Sequence, residues 1–186
     1  MRAIYLAGPE VFLSDAVEAG RAKAMLCEQH GFRGLYPLDA ELESKADVRL
    51  SARIFQSNVG LIRACDAVIA NLTPFRGPSA DAGTVFEVGF ALALGKPVFA
   101  YTNHHAPYLL RVDESHGPLI ERNGQRFARD GMSVEDFGLR DNLMIEEAIR
   151  AQGWEIVTRD VEADRRQKEL AGFELCLRQA AAYFQG

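Results

Sequence analysis

Little in this 186-residue sequence fits a secreted, membrane-bound or metal-dependent protein. The three cysteines, Cys27, Cys65 and Cys176, are odd in number and far apart, so they suggest no disulfide framework. They read as buried or incidental thiols of a reducing compartment. No apolar run reaches the roughly 18 residues that a membrane span requires. Met1 to Tyr5 enters a strand-like pattern at once, without the pattern of a secretory signal. Positive charge is not in excess: 21 Lys and Arg face 26 Asp and Glu, a formal net charge of −5. That balance argues against a nucleic-acid backbone or an anionic membrane as the main partner. The four histidines show no metal-ligand spacing, and no Ser or Cys sits in a nucleophile elbow. Neither a GxGxxG fingerprint nor a phosphate-cradling loop occurs, so no metal, dinucleotide or other cofactor is expected. A soluble, cytoplasmic protein is expected.

What is present is an ordinary globular mixture, 48% hydrophobic and 25% charged. Short apolar runs alternate with amphipathic stretches through the first hundred residues. Strands are predicted at Ala3–Ala7, Phe32–Tyr36, Ala67–Leu72 and Pro97–Tyr101, with helices over 14–29, 49–64 and 83–94. This repetition predicts a single α/β domain over 1–186: a doubly wound, Rossmann-like parallel sheet flanked by helices. From 102 to 140 the periodicity fails, as expected for a lid or binding flap or for a simply mobile loop. Helices over 143–152 and 161–184 follow.

Open α/β sheets bind ligands at the carboxyl ends of their strands, which directs attention to Gly8–Phe12, Pro37–Glu41 and Thr73–Gly83. The helix beginning at Gly83 carries a single charge, Glu87, among residues apolar nearly all round. A carboxylate on a helix expected to be buried must be paired, protonated or turned to a cleft. It either anchors a neighbouring loop or serves catalysis or ligand binding. Asp81 can be a helix cap or a site residue, and the Tyr5 phenol either packs in the core or holds a carboxylate. Asn142 precedes the 143–152 helix as an ordinary cap would.

The ordered set Ile4-Tyr5-Leu6-Ala7-Gly8-Pro9-Glu10-Val11-Phe12, Asp66 to Pro74, Asp81 to Ala91 with Gly95-Lys96-Pro97, and Phe137-Gly138-Leu139 with Asn142-Leu143-Met144-Ile145 resembles the nucleoside 2-deoxyribosyltransferases. The resemblance implies a flavodoxin-like fold, assembled into dimers or larger homo-oligomers with active sites shared between subunits. It implies that Glu87 attacks C1′ of a 2′-deoxyribonucleoside, forms a covalent deoxyribosyl-enzyme and hands the sugar to a second free nucleobase with retention of the β configuration. Tyr5 then orients the nucleophile, Asp81 binds the sugar hydroxyls, and Asn142 does so in the neighbouring subunit. Gly8, Pro9, Phe12, Asp39, Asn58 and Gly83 are expected to complete the substrate site.

Two features depart from the family pattern: Asn58, and a chain longer than the compact bacterial members, with 102–140 and a long terminal helix extra. Asn58 stands where some members carry a proton-donating Asp, which leaves Asp39 or Glu41 as the candidate acid. Glu10, in the segment where relatives acting on monophosphates bind phosphate, is expected to repel a 5′-phosphate and favour nucleosides. Phe86 and Phe90, either side of Glu87, are expected to leave little room for a 2′-hydroxyl. Rival functions are a hydrolase that releases the same intermediate to water and a non-catalytic nucleotide-derivative sensor.

Overall fold

The computed structural model describes residues 1–37 and 48–186. Strand β1 (Arg2–Ala7) leads through a 3-10 turn (Pro9–Phe12) into α1 (Ala16–Gln29) and β2 (Phe32–Leu35). Then come α2 (Leu50–Ala64), β3 (Ala67–Asn71), α3 (Ala82–Ala93) and β4 (Val98–Thr102). The remainder comprises α4 (Tyr108–His116), β5 (Ile120–Arg122), β6 (Gln125–Phe127), β7 (Ser133–Val134), α5 (Leu143–Arg150), β8 (Val157–Thr158) and α6 (Ala171–Gln185). Five parallel strands form one sheet in the order β2-β1-β3-β4-β8. This is the flavodoxin-like doubly wound order, and its topological switch point lies between β1 and β3.

The two-residue side-chain period of the strands divides the core. Ile4, Leu6, Ile69, Phe99 and Tyr101 point to the face covered by α1 and α6, where Cys27, Phe173 and Leu177 meet them. Tyr5, Ala7, Val68, Ala70, Val98 and Ala100 point to the opposite face with Ile62, Val88, Ala91 and Ile149. Both faces are covered, which is why the strands read as continuous apolar runs. The parity also turns Tyr5 toward α3.

Several expectations need correction. The 102–140 stretch is not one irregular flap: it folds into α4 and a small antiparallel sheet, β5-β6-β7. Pro107 immediately before α4 and Gly117, at φ 83°, immediately after it were the punctuation that marked this helix. The last helix begins at Ala171, not near residue 161, and β8 adds a fifth strand too short for a periodicity signal. Helix α3 is not buried all round either. Its Phe86 is 52% exposed, and on α2 Leu50, Ile54 and Phe55 are exposed as well. Among the described residues these two helices therefore leave an apolar face exposed.

Candidate active site

Glu87 sits on the second turn of α3, and the inward-facing Tyr5 of β1 lies directly beneath it. The fully buried phenol donates a 2.6 Å hydrogen bond to Glu87 Oε1. Asn58 Nδ2, from α2, lies 3.5 Å from the same oxygen, while Asn58 Oδ1 is buried with no hydrogen-bond partner among the described residues. No cation pairs with Glu87 among the described residues. Burial therefore pushes its carboxyl up to about 7; the Tyr5 hydrogen bond pulls it down, the Asp81 charge pushes it up, and the Asn58 hydrogen bond lowers it. Burial, followed by the charge of Glu87, holds the Tyr5 phenol far above its ordinary range, so it stays protonated and donates.

Above this pair opens a cavity of about 390 Å³ at the switch point. Gly8, Phe12, Asn58, Asp81, Gly83 and Glu87 all line it, as do Val11 and Pro37 of the strand-end segments, and Ile54, Ser57 and Thr84, which lie outside those segments. Asp81 caps α3: its Oδ2 accepts from Thr84 N at 2.9 Å and Thr84 Oγ1 at 3.1 Å. The cap uses only this oxygen, so the cap and sugar-binding readings are compatible. Gly83 suits this cap, because a Cβ there would stand 3.0 Å from Asp81 Oδ2. At the mouth, the Phe12 ring stacks on Phe75 at 5.2 Å, and the Arg76 guanidinium lies over both rings.

Other expected site residues lie elsewhere. Pro9 is buried at the start of the 3-10 turn and does not line the cavity. Asn142 caps α5, accepting from Met144 N at 3.0 Å and donating to Glu135 at 2.7 Å, away from the cavity of its own protomer. Asp39 and Glu41 fall outside the described residues. Phe86 and Phe90 stack on each other at 6.0 Å and do not line the cavity, so they do not crowd a 2′-hydroxyl.

Glu10 also needs correction. It does not face the ligand; its carboxylate turns under the sheet end and is 2% exposed. There it accepts from the fully buried Lys23, from Asn71 Nδ2 at 2.9 Å and from Tyr101 Oη at 3.0 Å. A buried carboxylate neutralised in this way repels no phosphate. None of the described lining residues is Lys or Arg, and the cation at the mouth is Arg76. The network sets the cavity floor: a Cβ on Gly8 would lie 2.0 Å from Glu10 Oε2 and 3.0 Å from Asn71 Cβ. Lys23 was its sequence signal, a lone cation on the buried face of α1 alongside Ala16, Gly20 and Cys27, and such a charge needs a buried partner.

Comparison with known proteins bears on this site. The family model described as nucleoside 2-deoxyribosyltransferase matches residues 4–144. An uncharacterized protein of Schizosaccharomyces pombe is 30% identical over 164 residues, covering 81% of this chain and 78% of that protein. Among solved structures, a 2-desoxiribosyltransferase from Leishmania mexicana is similar at 32% identity and a TM-score of 0.66, over 96% of this chain and 98% of that one. A conserved protein from Enterococcus faecalis V583, at 22% identity and a TM-score of 0.53 over 97% and 99% of the two chains, shares the fold.

Proposed function

The chain belongs to the nucleoside 2-deoxyribosyltransferase family, and on that premise we propose that it exchanges the base of 2′-deoxyribonucleosides through a covalent deoxyribosyl-Glu87 intermediate. A Glu87 oxygen attacks C1′ on the face opposite the base. The C1′–N bond breaks, its electron pair leaves with the base, and a proton must reach that base. A second base then attacks C1′ from the vacated face and returns its N–H proton to the group that protonated the first, the C1′–O ester bond breaks, and the carboxylate is regenerated. Two inversions leave the β configuration unchanged.

The observation that carries this reading is the state of Glu87: a carboxylate without a counter-cation, poised near neutrality, held by a phenol at the base of a cavity sized for a nucleoside. A purely structural glutamate is ordinarily paired. The Tyr5 hydrogen bond fixes one oxygen and leaves the other to attack. Asp81 receives the sugar hydroxyls, Phe12 offers its ring to the base, and Asn58 Oδ1 can accept from an exocyclic amine. Asp39 and Glu41 remain the proton donors proposed for the departing base.

The site is proposed to be completed in a homo-oligomer. Exposed Leu50, Ile54, Phe55 and Phe86 form an apolar face beside the cavity, and exposed Phe137 and Met144 flank Asn142. This arrangement favours Asn142 serving the neighbouring subunit's cavity. Incubation with deoxyinosine and adenine, followed by chromatography, tests the reaction. Deoxyadenosine and hypoxanthine are expected. Hypoxanthine with free deoxyribose but no deoxyadenosine would mark a hydrolase, and unchanged deoxyinosine would overturn the reading.

A further inference from the structure

The segment that delivers Asp81 to the cavity is held by a residue outside it. Asp141, 2% exposed, lies just before α5. Its carboxylate accepts from Ser79 Oγ, from Ala80 N at 2.9 Å and from Asn142 N at 2.8 Å. Two of these donors belong to the residues immediately preceding Asp81. On the far side the buried Arg111 guanidinium stands 3.6 Å from Asp141 Oδ2 and donates to the Arg140 carbonyl. A buried carboxylate with one cation and three donors is oriented by all of them, and it fixes whatever it binds.

We propose that Asp141 is a positioning residue for the sugar subsite, holding Ser79 and Ala80 so that Asp81 meets the deoxyribose hydroxyls. This inference rests on the deoxyribosyl-transfer reading above. The sequence alone gave no signal for it, because Asp141 and Ser79 are separated by 62 positions. The Leu139 carbonyl accepts from Tyr108 N at 2.9 Å, which ties the 139–141 turn to the start of α4, and the Asp141 bonds join that turn to the loop after β3. The α3 cap of Asp81 acts on Thr84 and does not reach Ser79 or Ala80; besides Asp141, this stretch is held by the Ser79 carbonyl accepting from Phe75 N at 2.9 Å. A shift of about 1 Å in a substrate-positioning group can cost of the order of a hundredfold in rate.

The test is a double-mutant cycle on deoxyinosine–adenine exchange. Asp141→Ala is expected to raise the KM for deoxyinosine about tenfold, with kcat and the adenine KM within about twofold. In an Asp81→Asn background the same change is expected to cost less than about twofold, since the group it positions is already gone. Asp141→Asn, which keeps one acceptor for Ala80 N, should recover part of the loss. Ser79→Ala removes a single bond and should give a smaller effect in the same direction, which keeps the test open if Asp141→Ala fails to fold. Equal losses with Asp81 present or absent, or a fall in kcat with KM unchanged, would overturn the positioning role. Wild-type protein that leaves deoxyinosine untouched would overturn the transfer reading and this inference with it; normal wild-type exchange unaffected by Asp141 and Ser79 changes would overturn this inference alone.

Discussion

Replacing Glu87 by Gln should remove activity and, at alkaline pH, make the protein more stable than the wild type. The Glu87 carboxyl is held at about 7 in the folded protein against an ordinary value of 4.5. The folded state therefore binds this proton more tightly than the unfolded chain does. The resulting stabilisation is complete below the unfolded value and is lost as pH rises through the folded one. Linkage between those two values gives a loss of about 2.5 kcal/mol from about pH 5 to about pH 8.5. Glutamine keeps the shape of the protonated carboxyl and does not titrate, so the variant escapes that loss. In a chain of this size the difference corresponds to about 5–10 °C in melting temperature. Thermal unfolding of both proteins across that pH range, with other groups common to both, isolates the Glu87 contribution. A variant-minus-wild-type gap that stays constant with pH, or narrows as pH rises, would refute a desolvated, cation-free Glu87.

Because the attacking oxygen must be ionised, kcat/KM should rise with pH and level off above about 7. Tyr5→Phe removes a bond that lowers the Glu87 value and should move the inflection up, whereas Asp81→Asn removes a like charge and should move it down; pH–rate profiles of the three proteins check both signs. Lys23→Met leaves the Glu10 carboxylate buried without its cation and should cost about 3–5 kcal/mol in denaturant unfolding. Gly8→Ala drives a Cβ into the Glu10 carboxylate, so it should displace the Pro9–Phe12 turn and raise the nucleoside KM more than it lowers the melting temperature. Mixing inactive Glu87→Ala with inactive Asn142→Ala protein should restore part of the activity if sites are shared, because a hybrid dimer contains one site with both native residues.

The parallel sheet was legible because β1, β3 and β4 are buried on both faces, Gly31 and Gly95 stop α1 and α3, and Asp81 caps α3. The pairing of Tyr5 with Glu87 was reachable only through resemblance, since the two lie 82 positions apart and strand parity alone brings them together. Glu10 misled because its position after β1 marks a ligand-facing turn, whereas a 3-10 conformation rotates its side chain inward to Lys23. Phe86 and Phe90 misled for a related reason. An apolar helix implies burial, yet Phe86 is exposed and beyond Phe90 meets the equally exposed Phe55 ring, while Phe90 packs at the edge of the core under Arg63. Helix α4 and strand β8 were hidden by brevity, where tertiary packing rather than periodicity decides the conformation.

Trapping of the intermediate bears most directly on the central claim. A 2′-deoxy-2′-fluoroarabinosyl nucleoside slows both steps by withdrawing electrons from the oxocarbenium-like transition state, so the glycosyl-enzyme should accumulate. Mass spectrometry of the intact protein and of its peptides should then find one added sugar on the peptide containing Glu87, discharged by adenine and absent from Glu87→Gln protein. An adduct on another residue, or base exchange by the wild type with no adduct under these conditions, would contradict the assignment of Glu87 as the nucleophile.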